Sequence, residues 1–277
     1  MRQGSLPAVF LIIKEDEMGK VRVFLCFSVI VMLLVMVAGS AVAKPLKTNI
    51  YGLDGLFLAT SGTTIPAGEL GVGASMLLVS DDFADGSIIP VTVTYGMTSD
   101  LEFAAAFEVF KDYDDGVDDD SGTGDLFLSA KYAVQEENAD YPGTALGLNL
   151  KLPLADVPQG TEETDISLLA AMEMEMKSVR GILNLEYLFP GSDDENQFKY
   201  VIGLEIPYSD TTDFSIELVH LPLLGEVPAD LFRGDMLAGG ATFDLGSALN
   251  FGVGIGIGLN DDFSSDVAAM GKINFTF

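Results

Sequence analysis

The side chains able to do chemistry in this sequence are mostly carboxylates. Of 277 residues, 42 are Asp or Glu, 14 are Lys or Arg, one is His and one is Cys. Nucleophilic hydrolysis needs an activated Ser, Thr or Cys beside a proton shuttle, most often histidine. The single histidine, His220, lies beside Leu218 and Leu221, and no serine follows it at the local spacing of an esterase centre. The acidic run Asp112 to Asp120 (DYDDGVDDD) lacks calcium-loop spacing. Five residues before Gly116 and Gly122 stand Lys111 and Val117, where an aspartate is required. It reads as a solvated acidic loop, suited to a leaflet of lipopolysaccharide bridged by divalent ions. No catalytic residue, resident metal or cofactor is expected.

The charges whose spacing does suggest work are Glu102, Glu108, Asp125, Lys131, Lys151, Glu173, Glu175, Arg180, Glu186, Lys199, Glu205, Glu217 and Lys272. Each sits opposite the apolar positions of an alternating stretch. On the inner face of a barrel such groups must be hydrated or paired. They line a polar path for a solute, or they pair into a ladder that fills the interior. The acidic excess leads one to expect a lumen that favours cations.

Alternation sets the elements that hold these charges. In Leu249 to Leu259 the residues Leu249, Phe251, Val253, Ile255, Ile257 and Leu259 share one face, and Asn250 with Gly252, Gly254, Gly256 and Gly258 share the other. A period of two belongs to strands and no helix separates these sets. The same reading gives twelve strands, at 68–79, 87–97, 100–111, 124–136, 142–153, 164–176, 179–190, 197–208, 211–220, 232–244, 247–260 and 264–277. The tenth has an ambiguous face, since Asp235 and Asp244 differ in parity. Connections alternate between long acidic loops and short turns, as in transmembrane barrels with the short side periplasmic. An open sheet edge in lipid leaves backbone groups unpaired, so the sheet must close. The fold class expected is therefore all-β, a transmembrane antiparallel up-and-down barrel of residues 66–277. A two-layer soluble sandwich explains neither the loop pattern nor the ends of the chain.

Those ends carry addresses. Lys20 and Arg22 precede an apolar run, Val23 to Ala43, that closes on Ala41-Val42-Ala43. This describes a secretory signal peptide over residues 1–43, with 1–17 an extension ahead of a start at Met18. Cys26 is buried in that run, away from its end, so it is not a lipoprotein cysteine. Residues 1–43 hold four of the basic and three of the acidic residues, so the remainder carries a net charge of −29. Nucleic acid is excluded as a partner. Residues 44–65 read as an N-terminal periplasmic segment, either a tail or a partial plug of the barrel. Tyr95, Phe103, Phe243, Phe275 and Phe277 fit an interfacial girdle. Ile273, Phe275 and Phe277 resemble the C-terminal signal read by the bacterial barrel-assembly machinery. The address is the outer membrane of a Gram-negative-type envelope, with lipid, lipopolysaccharide and the assembly machinery as partners.

Five stretches resemble the meta-pathway phenol-degradation family of transporter-like outer-membrane barrels. They are Ile65 to Ser75 (IPAGELGVGAS), Val93 to Phe103 (VTYGMTSDLEF), Gly122 to Val134 (GTGDLFLSAKYAV), Ala145 to Asp156 (ALGLNLKLPLAD) and Ala269 to Phe277 (AMGKINFTF). The resemblance implies an outer-membrane channel for passive uptake of small solutes, hydrophobic or aromatic ones among them. It supplies no catalytic residue. The alternative is a closed structural or surface-display barrel whose acidic loops are the working part.

Overall fold

Where apolar and small or polar residues alternate over ten positions, one face of a strand can meet lipid while the other meets the lumen. A computed structural model describes residues 45–80, 85–114, 119–155, 163–191, 196–221, 234–259 and 267–277. The expected signal peptide lies outside these residues. The strands are β1 (Leu70–Ser80), β2 (Asp85–Gly96), β3 (Leu101–Asp114), β4 (Asp119–Gly122), β5 (Leu126–Gln135), β6 (Gly143–Leu152), β7 (Asp165–Met176), β8 (Val179–Phe189), β9 (Gln197–Ser209), β10 (Thr212–Leu221), β11 (Gly234–Asp244), β12 (Leu249–Gly258) and β13 (Val267–Thr276).

Twelve of these close into a barrel. Neighbours pair antiparallel in chain order, β3 pairs with β5, and β1 seals against β13 from Gly71↔Thr276 to Ser80↔Val267. The twelve correspond to the expected strands, with ends within three residues. The one addition is β4, which pairs with the outer end of β3 from Lys111↔Gly122 to Asp114↔Asp119. The acidic run was expected to be loop throughout. Instead it carries the sheet above the barrel as a short flap, because β3 continues past its partner β5, whose pairing stops at Phe107↔Leu126.

The two faces separate as the alternation demands. Val93, Tyr95, Phe103, Leu146, Leu148, Leu168, Ile202, Ile216, Ile255 and Ile257 are exposed, while Thr92, Thr94, Glu102, Ser129, Ser167, Glu205 and Lys272 are buried. An apolar outside and a polar inside suit a barrel in lipid. The ambiguous strand, β11, turns Met236, Ala238 and Thr242 inward. Its Asp235 faces outward, with Oδ1 2.6 Å from Nδ1 of His220. His220 also stacks on Tyr200, centroids 4.9 Å apart. The lone histidine is thus a paired residue of the outer surface.

A charge on the lipid face should be costly. Ile255 is 65% exposed in mid-strand on β12. Ile255→Arg is expected to destabilise the barrel by about 2–4 kcal/mol, and Ile255→Leu by less than about 1.5 kcal/mol. Refolding titrations in lipid vesicles read the difference. Equal stability of the two variants would mean that Ile255 does not face lipid.

Candidate site: the occluded barrel interior

Residues 45–65 run inside the barrel. This stretch is too apolar to remain in water as a tail. Leu46, Ile50, Leu53, Leu56, Phe57, Ala59 and Ile65 are all buried. It enters beside Thr276, whose Oγ1 accepts the Leu46 N–H at 2.8 Å, and it leaves at Ile65, whose N–H reaches Glu102. Both ends therefore lie at the short-turn rim, the periplasmic one. The segment has little regular structure, only two isolated bridges, Thr48↔Asp54 and Gly55↔Thr60. Buried backbone N–H and C=O groups still need partners, and the barrel wall supplies them.

Wall carboxylates accept the plug's N–H groups. Glu217 takes those of Phe57 at 3.1 Å, Leu58 at 2.8 Å and Ala59 at 2.7 Å. Glu102 takes those of Asp54 and Ile65, each at 3.0 Å, and Glu173 takes that of Gly62 at 3.3 Å. Asn184 does both jobs, accepting from Thr60 N–H and donating to Thr60 C=O, each at 2.6 Å. Wall cations accept nothing but donate to carbonyls. Lys272 Nζ reaches Thr48 O and Leu56 O, both at 2.9 Å, and lies 4.6 Å from the Phe57 ring centroid. Ion pairs tie the rest together. Lys131 meets Glu102 at 3.3 Å, and Arg180 meets Glu205 at 2.8 Å and Glu173 at 3.7 Å. Lys47 of the plug bonds Glu205 at 2.8 Å and also bonds Asp213.

The inward glycines complete the fit. They leave room in the lumen, and Phe57 occupies it. A Cβ built on Gly240 would lie 2.4 Å from the Phe57 ring, one on Gly252 3.0 Å, and one on Gly254 3.5 Å. Gly203 plays the same part for Leu56, and Gly71 for Leu46, each at 2.9 Å. Within the plug, Gly52 has φ +93°, and its absent side chain would meet Thr92 at 3.0 Å. Glycine alone allows that turn so close to the wall.

On the long-loop side of the plug lies a cavity of about 230 Å³. The plug residues Asn49, Ile50, Tyr51, Leu53, Leu58 and Thr60 form its floor. Its wall brings together five of the expected charges, Glu108, Asp125, Lys151, Glu186 and Lys199, and adds Lys111 and Asp165. Tyr51 of the plug rests against Phe127 of the wall, centroids 4.7 Å apart. Lys151 lies 3.3 Å from Asp165 and 3.8 Å from Asp125. Glu186 accepts from Asn149 at 3.2 Å and from the Ser167 hydroxyl.

The expected lining residues thus fall into two layers. Glu102, Lys131, Glu173, Arg180, Glu205, Glu217 and Lys272 hold the plug. Glu108, Asp125, Lys151, Glu186 and Lys199 line the chamber above it. Glu175 belongs to neither, since it is exposed next to the 177–178 turn and its backbone N–H donates to Glu137. Lys111 was missed because β3 carries a bulge. Ile89 pairs with Phe110 while the next residue, Pro90, pairs with Glu108. The extra residue reverses parity, so Lys111 turns inward where strict alternation from Glu108 sends it outward.

Known proteins share this architecture. The family described as "Putative MetA-pathway of phenol degradation" matches residues 59–277. Among solved structures, an outer-membrane channel from Pseudomonas putida F1 superposes with a TM-score of 0.61 at 14% identity, covering 78% of this chain and 97% of its own. The KdgM porin in complex with disordered oligogalacturonate gives 0.53 at 8% identity, covering 75% and 99%. No curated protein matches the sequence. The structural likenesses establish the fold, that of outer-membrane barrels.

Proposed function

The chain belongs to the "Putative MetA-pathway of phenol degradation" family of outer-membrane barrels, and on that premise we propose that it is a passive channel for small solutes with a built-in plug. The observation that carries this reading is the chamber of about 230 Å³ above the plug, lined by both apolar and charged side chains. A barrel with a purely structural role has no need of such a space, and close-packed interiors leave few voids larger than a water. The volume sits just below the roughly 300–1,000 Å³ usual for ligand pockets. That matches a solute of one ring or a short chain. The apolar floor of Ile50, Leu53 and Leu58 favours hydrophobic or aromatic bodies over sugars. The solute enters from the long-loop side, rests in the chamber and passes when the plug shifts. Likeness to channel and porin folds supports this direction of reading.

The second reading, a closed structural barrel, draws on the completeness of the plug's bonding. The two separate in cells. A strain lacking the protein should grow more slowly on a limiting supply of a solute that the channel carries, and restoring the gene should recover the rate. Equal uptake with and without the protein, across single-ring and short-chain solutes, favours the structural barrel.

A further inference from the structure

We propose that the chamber is a binding site for a compact amphipathic anion, one carboxylate or sulfonate on a single ring or short chain, held by Lys111 and Lys199. Most charges of the chamber are already engaged. Asp125 accepts the N–H groups of Leu154 and Ala155 at 3.1 Å each, and Asp165 accepts that of Gly191 at 3.0 Å. Glu108 accepts that of Asp125 at 3.2 Å. Glu186 faces Lys199 across the β8–β9 ladder but is taken up by Asn149 and Ser167. Lys151 already bridges two aspartates.

Two cations are left. Among the described residues, no carboxylate comes within 4.0 Å of the ammonium of Lys111 or Lys199, although both side chains line the cavity. Lys111 is only 5% exposed. Lys111 lies in the field of Glu108 and Lys199 lies opposite Glu186, yet neither ammonium has a direct carboxylate contact, and an incoming anion supplies one. An incoming cation finds carboxylates that each already accept at least one hydrogen bond. The other half of the ligand is set by the floor and wall. Leu58, Val201 and Val219 offer aliphatic surface, and the Tyr51–Phe127 pair offers an aromatic edge. Charge at one end and apolar surface at the other select an amphipathic solute. This reverses the cation preference expected from the acidic composition, because composition counts charges without asking which of them are engaged.

The inference rests on the channel reading for its role, but binding can be measured without transport. Titration calorimetry on the full-length protein folded in detergent, at low salt, uses benzoate, benzyl alcohol, benzylamine and acetate as probes. Benzoate should bind about tenfold more tightly than benzyl alcohol, and benzylamine should bind least. Acetate should also be about tenfold weaker than benzoate, since it lacks the apolar body. Lys111→Met and Lys199→Met should each weaken benzoate by about tenfold and leave benzyl alcohol nearly unchanged. Failure of benzoate to bind, or equal affinity for benzyl alcohol, benzylamine or acetate, overturns the proposal. The wild-type probe series decides it even if a lysine variant fails to fold. Solute permeability of the same preparation is a separate readout, so loss of this proposal leaves the channel reading standing.

Discussion

Deleting residues 45–63 is expected to raise the single-channel conductance of the reconstituted barrel by about tenfold or more. Eight-stranded barrels are filled by their own side chains and sixteen-stranded ones hold an aqueous channel, so twelve strands leave the outcome to the lumen's contents. Here the wall facing the plug is trimmed to glycine at Gly71, Gly203, Gly240, Gly252 and Gly254. Without the plug these positions leave space that no wall side chain fills. The groups that held it, Glu217, Asn184 and Lys272, then line a hydrated passage in which water replaces the lost backbone partners. The deletion leaves every strand intact, since β1 begins at Leu70. A shift in gel mobility between unheated and boiled samples verifies that the variant folds. A folded variant with unchanged conductance would show that the wall closes the lumen by itself.

The largest loss of stability is expected at the floor of the barrel. Glu102 and Lys131 form an ion pair of 3.3 Å with both side chains completely buried. Lys131→Met leaves the Glu102 carboxylate without its cation in a dry site, at a cost of about 3–5 kcal/mol. Combining it with Glu102→Gln should recover part of the loss, because the double variant buries no unpaired charge. Chamber lysines provide the contrast: Lys199 makes no such pair, so Lys199→Met should change stability by less than about 1 kcal/mol. Urea unfolding followed by gel mobility ranks the variants. Equal loss in Lys131→Met and Lys199→Met would contradict the placement of Lys131 in a buried network.

Most of the barrel was legible because lipid imposes a strict rule. Backbone groups must pair within the sheet, and every second side chain must be apolar, so alternation in Leu249 to Leu259 carries nearly all the information about β12 and its faces. The parity of Glu102, Glu173, Glu205 and Glu217 was legible on the same ground. What they bind was not. A carboxylate facing inward looks the same to alternation whether it meets water, a lysine or the N–H of Leu58. The plug has neither helical nor strand periodicity, so its only mark in the sequence is hydrophobicity without pattern. Leu46, Ile50, Leu53, Leu56 and Phe57 are too many apolar residues for a solvated tail, and of the two readings of this segment their number favours the partial plug. Lys111 was hidden by a single extra residue in β3, which no count of period two can reveal.

Solute entry into vesicles containing the intact protein, plug included, tests the central claim most directly. Vesicles loaded with an impermeant polymer are mixed with isosmotic solutions of small neutral, anionic and cationic solutes, and swelling is followed by light scattering. The channel reading predicts that vesicles with the protein swell faster than empty ones for solutes of single-ring or short-chain size, and that trisaccharides are excluded. Swelling equal to that of empty vesicles for every solute, in a preparation whose gel shift shows a folded barrel, would contradict it.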